Sequence, residues 1–161
     1  MKKLVFLSDL HLSFCKKPTI NSLIEKLSQF DGVIVAGDIA DGNCLKFYLN
    51  YLAKIQKPIY YIHGNHDFYA STFDQTRDIS REACANSQYL FWLQESPIIE
   101  LTKDSCIIGC DGWWDCGYGN YYDSIGFKLN DFYSNRVLKQ LNRDQSSVFF
   151  SKPYFSKTCS T

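Results

Sequence analysis

Net charge is the first thing this chain lacks: its 17 lysines and arginines are balanced by 17 aspartates and glutamates. With no excess of either sign, nothing global draws it to nucleic acid or to an anionic membrane surface. Long apolar runs are missing too. No stretch approaches the ~20 residues a membrane helix needs. The apolar segment after Met1-Lys2-Lys3 is cut short by Asp9 and His11, too early for a secretory signal. The seven cysteines contain no C-x-x-C pair. An odd count without a leader reads as reduced thiols in a cytoplasm, buried as small hydrophobes, and not as a disulfide framework. Histidine is scarce, limited to His11, His63 and His66. Internal repeats and low-complexity tracts are absent. Aromatic side chains are abundant, at 16% of the chain, which implies large residues that are either buried or exposed and adhesive. The 161 residues suffice for one domain with a real core.

Apolar periodicity divides the first two-thirds of the chain cleanly. A strand is expected over about Lys3 to Ser8. Ile20, Leu23, Ile24 and Leu27 then recur at helical spacing, with Thr19 as the N-cap and Asp31-Gly32 as the stop. Val33-Ile34-Val35 reads as a second strand. Leu45, Tyr48, Leu49, Leu52 and Ile55 mark a second helix, capped by Asp41 and ended before Pro58. Ile59-Tyr60-Tyr61-Ile62 is a third strand. Strand and helix alternating with short connections predict right-handed βαβ units and a parallel sheet. Further on, a helix is expected from Ser71-Thr72 to about Ala85, followed by strands at Tyr89–Leu93, Ile98–Leu101 and Cys106–Cys110. Thr102-Lys103-Asp104-Ser105 joins the last two as a hairpin. A loop rich in glycine and aromatics runs from Asp111 to Tyr122, and one more helix is expected near Asn135 to Leu141.

Each of the first three strands runs into a cluster of polar residues that packing does not require. Val5-Phe6-Leu7 leads to Ser8-Asp9-Leu10-His11, Val33-Ile34-Val35 to Gly37-Asp38, and the third strand to Gly64-Asn65-His66-Asp67. Open α/β sheets build their sites at the carboxyl ends of strands. Singly these are common loop residues. Together, each after a strand, they form a constellation of metal-ligand types. His63 is read as a structural residue closing its strand. Trp113, Trp114 and Tyr118 are lid or core aromatics, with a substrate mouth as the alternative.

Asp9-x-His11, Gly37-Asp38 and Gly64-Asn65-His66-Asp67 resemble the first three blocks of the calcineurin-like metallophosphoesterases. The resemblance implies an α/β fold, a sandwich of two mixed β-sheets flanked by helices. It implies phosphomonoester or phosphodiester hydrolysis by a water activated between two divalent ions. Asp38 would bridge the ions, Asp9 and His11 would hold one, and the amide oxygen of Asn65 the other. Mn, Fe, Zn or Ni would suit such a donor set. His66 would protonate the leaving group, with Asp67 orienting its ring. The substrate class is not implied, since one fold serves many substrates.

The family site also uses a later histidine and a Gly-His-x-His block, and three histidines cannot supply these. Residues 1–150 are therefore read as an incomplete domain lacking its C-terminal part. Residues 151–161 are read as an irregular tail, for which a shifted reading frame, a truncation or a decayed copy are alternatives. Apolar surface left uncovered would favour self-association and poor solubility. A non-catalytic protein-binding module, or an inactive fragment, retaining the fold is the competing reading.

Overall fold

Four apolar runs become the strands of one sheet: β1 (Leu4–Leu7), β2 (Gly32–Ala36), β3 (Ile59–Ile62) and β4 (Leu90–Trp92). The computed structural model of the chain describes residues 2–96, 98–112 and 130–141. The strands lie in the order β1-β2-β3-β4, every neighbouring pair parallel. Parallel neighbours need a crossover between them. The helices α1 (Lys17–Leu27), α2 (Leu45–Leu52) and α3 (Phe73–Ala85) supply these in turn.

Register sorts the strand residues into two faces. Val5, Val33, Ile59 and Leu90 form one cross-sheet row, and Leu7, Val35, Tyr61 and Trp92 another. Both rows share a core with Ile20 and Leu27 of α1, Leu45, Leu49 and Leu52 of α2, and Ala83 of α3. Alternation places Phe6, Ile34, Tyr60 and Phe91 on the opposite face. Phe6 there is 67% exposed, whereas Tyr60 is 6% exposed.

The second sheet is an antiparallel hairpin, β5 (Ile99–Thr102) and β6 (Ser105–Ile107), turning at Lys103-Asp104 as the polar connection predicts. The two sheets and flanking helices expected for the fold are thus present. Helix α3 starts with a capping box, in which the Thr72 hydroxyl accepts from the Gln75 N–H and the Gln75 side chain accepts from the Thr72 N–H.

Four local expectations are corrected. Thr19 is not an N-cap: α1 begins two residues earlier, with Pro18 in its first turn, where the missing N–H leaves no bond unmade. That helix stops at Ser28, and Gly32 opens β2 instead of ending α1. Asp41 does not cap α2, whose N-cap is Cys44 without a side-chain bond. The helix expected over Asn135–Leu141 is split into α4 (Asp131–Ser134) and a 3-10 turn at Leu138–Gln140. Asn135 causes the break, because its side-chain oxygen accepts from Val137 N and Leu138 N and competes with helix continuation. The cysteines among the described residues are also less buried than expected. Cys15, Cys44 and Cys84 are half-buried, and Cys106 and Cys110 are exposed.

Residues 130–141 dock onto the loop after β3. Phe132 and Leu138 pack with Phe68 and Phe73 in a second small core. Ala70 N donates to Ser134 O at 2.9 Å, Arg136 N to Ser71 O at 3.1 Å and the Asn135 amide to Phe68 O at 3.2 Å. Among the described residues, no helix is long and apolar enough to cross a membrane. The aromatic loop beyond Gly112 and the tail at 151–161 lie outside the described residues.

Candidate metal centre

A parallel sheet brings the carboxyl ends of β1, β2 and β3 to one edge, so their following loops meet there. Backbone bonds continue the pairing beyond the strands: Asp9 N donates to Gly37 O at 3.2 Å, His11 N to Asp38 O at 2.9 Å and Leu12 N to Ile39 O at 2.9 Å. Asp9, His11 and Asp38 all take left-handed backbone conformations, with φ of 54°, 42° and 53°. Aspartate and histidine are among the few non-glycine residues that enter this region readily. Such outliers gather at functional sites.

Two glycines make the convergence sterically feasible. Gly37 has φ +83°, and a Cβ there would lie 2.6 Å from Gly64 N. A Cβ on Gly64 would collide with Asp38 Oδ1 and lie 2.7 Å from Asp38 N. Glycine at both positions lets the β2 and β3 loops touch, with the Asp38 carboxylate between them. Asp38 Oδ1 accepts from His66 N at 3.0 Å, and Oδ2 stands 3.9 Å from His11 Nε2. One carboxylate therefore reaches from the β3 loop to the β1 loop.

His11, Asp38 and His66 each present a donor atom within 4.8 Å of the others. The His66 ring meets the His11 ring edge-on at 4.5 Å and lies against Tyr69 at 4.2 Å. Its Nδ1 is buried and has no hydrogen-bond partner among the described residues. Buried polar atoms are nearly always partnered, so an orphaned imidazole nitrogen points to a missing ligand. The His11 imidazole and the Asp38 carboxylate are donors that divalent transition metals take, and the His66 nitrogen beside them is open to a bound substrate. The donor set fits a cation.

The other residues expected at the site take distinct places. Asp9 shares the loop lacing through its backbone, but its carboxylate is not in the three-donor cluster. The Asn65 amide nitrogen donates to Tyr69 Oη at 3.1 Å and to Asp131 Oδ1 at 2.8 Å. Its amide oxygen is the atom left over for a cation. Asp67 does not orient His66, which corrects the expected role. Its carboxylate is fully buried and accepts from Ile39 N, Ala40 N and Gly64 N at 2.9, 3.0 and 2.9 Å. It ties the β2 and β3 loops together. Burial pushes its carboxyl up to about 6, against the opposing pull of His63 and the backbone N–H groups of Ala40 and Gly64.

Three residues at the site were not singled out for it from the sequence. Asp41 stands with Oδ1 3.9 Å from His66 Nδ1, too long for a hydrogen bond but close enough to act electrostatically. Tyr69 and Asp131 flank Asn65, and burial, then the Asp131 charge, push the Tyr69 phenol up to about 12. Asp131 lies 66 residues from Asn65 in the chain. No local spacing could have signalled that pairing.

His63 is structural, in keeping with its position before the motif glycine. It is fully buried, with Nδ1 3.0 Å from Asp111 Oδ2 and Nε2 2.7 Å from Ser80 Oγ. Asp111 also accepts from His63 N at 2.7 Å and from the Trp92 indole at 3.0 Å. Burial alone would raise the Asp111 carboxyl, but His63 and these donors hold it below the usual carboxylate range.

A family model described as calcineurin-like phosphoesterase matches residues 2–155. No curated protein matches the chain, and no solved structure does.

Proposed function

The chain belongs to the calcineurin-like phosphoesterase family, and on that footing we propose that it is a metal-dependent hydrolase of phosphomonoesters or phosphodiesters. One observation carries the reading. The loops after three adjacent parallel strands bring His11, Asp38 and His66 together within 4.8 Å, with His66 Nδ1 buried and unpartnered among the described residues. Divalent metals are usual in the family. Here two such ions would share Asp38, with Asp9 and His11 on one side and the Asn65 oxygen on the other. Mn, Fe, Zn and Ni all suit these donors. Cations held there supply positive charge for the phosphoryl oxygens and lower the pKa of water.

The chain's own groups do the rest. His66, held between the His11 and Tyr69 rings, hands a proton to the leaving oxygen. Asp67 keeps the two loops at fixed separation.

Hydrolysis of p-nitrophenyl phosphate and bis(p-nitrophenyl) phosphate with added Mn²⁺ tests the proposal. Activity should vanish with a chelator, and His66→Ala should lower it about 100-fold or more. Absence of turnover with each of the four metals sinks it. A second reading, a non-catalytic protein-binding module, is favoured by one fact: His63 is wholly engaged by Asp111 and Ser80, leaving two of the three histidines for the site.

A further inference from the structure

Asp131 is a buried carboxylate, 8% exposed, delivered to the site by a segment remote in sequence. Its neighbours hold it in place. The backbone on either side is tied to the loop after β3 through Ala70, Ser71 and Phe68, and Phe132 beside it is locked in the small aromatic core. Burying a charge is unfavourable unless something recovers the lost hydration. Among the described residues it meets Asn65, through a 2.8 Å bond from the amide nitrogen, and the Tyr69 phenol.

The two ends of a primary amide differ in what they can do. The nitrogen donates two hydrogens and is a poor metal ligand, while the oxygen accepts and ligates hard or borderline cations. The two ends exchange by a half-turn about the last side-chain bond, with little change in shape. An ionised carboxylate can only accept, so it admits one of the two orientations. With the nitrogen donating to Asp131 and to Tyr69 Oη, both hydrogens are spent and the oxygen is left over. A neutral amide or hydroxyl at position 131 would accept either orientation.

We propose that Asp131 is a positioning residue of the metal centre: by accepting from the Asn65 amide nitrogen, it leaves the Asn65 oxygen as the atom offered to the cation. The inference rests on the metal-dependent reading above and adds a residue to it. Groups behind metal ligands commonly change metal affinity by about 10- to 100-fold when altered. The charge behind the amide also polarises it and makes its oxygen a better donor.

The test uses the full chain and Mn²⁺ alone, with binding read from loss of the free Mn²⁺ resonance signal and folding followed by circular dichroism. Asp131→Asn should raise the Mn²⁺ dissociation constant about 10-fold or more. The reciprocal pair, Asn65→Asp with Asp131→Asn, restores one donor facing one acceptor, with an oxygen again left over. It should regain Mn²⁺ binding whether or not the single variant is stable. Unchanged affinity in Asp131→Asn overturns the inference and leaves the metal centre standing. A reciprocal pair that binds no better than Asp131→Asn also overturns it, because the loss is then one of general structure. A wild-type chain that takes up no Mn²⁺ removes the metal reading and this inference together.

Discussion

Gly64→Ala would put a methyl group where Asp38 Oδ1 lies. The carboxylate must then leave its place between the β2 and β3 loops. We expect Mn²⁺ uptake to be lost and stability to fall by about 1–3 kcal/mol, the usual cost of overpacking; titration calorimetry and urea denaturation read the two effects. Asp67→Asn tests the corrected role of that residue. Its two oxygens serve three backbone donors, and an amide has only one acceptor to offer them. A loss of about 1–3 kcal/mol in urea denaturation is expected, whereas a variant as stable as wild type would show that the three bonds contribute nothing. The type of residue at each point of the site was legible in the Gly-Asn-His-Asp and Gly-Asp patterns. The direction of the Asp67 side chain was not. Its partners at Ile39 and Ala40 lie 28 and 27 residues away, and only the docked sheet brings them close.

The elements followed from simple patterns where periodicity was strong. Runs such as Val33–Val35 and Ile59–Ile62 became strands, and the heptad-like spacing in α2 became a helix. Thr72 was legible as a helix start because its capping chemistry is local. Thr72→Ala should therefore cost about 1 kcal/mol, measured as a lower urea midpoint, with no change in Mn²⁺ binding. Thr19 misled because Pro18 also marks a helix start, and a proline within the first turn lets the helix begin before it. The split at Asn135 was not readable from spacing, since Val137, Leu138 and Leu141 suit a helix face equally well. What decides the matter there is one side-chain oxygen competing for two backbone donors.

At the scale of the molecule, His63 and Asp111 join the hairpin side of the chain to the parallel sheet. Gly109 permits the approach, because a Cβ there would sit 2.8 Å from Leu93 Cδ1. Asp111→Ala would leave His63 N and the Trp92 indole without their acceptor. A loss of about 3 kcal/mol is expected for breaking such a buried network. Its pH dependence has a definite sign. The Asp111 carboxyl is held lower in the folded chain than in the unfolded one, so its contribution is complete above the ordinary carboxylate range, about pH 4. It fades as pH falls through the lower folded value, and the gap between wild type and variant should narrow there. Urea titrations at neutral and acidic pH would show a constant gap if Asp111 mattered only by packing. The parallel sheet has one further consequence. The loops that hold His11, Asp38 and His66 leave from one edge, and the connection from α3 into β4, with Asn86 and Gln88 exposed, arrives at the other. A fluorophore, an affinity handle or a grafted peptide placed at that far rim should ride along without disturbing the His11, Asp38 and His66 cluster.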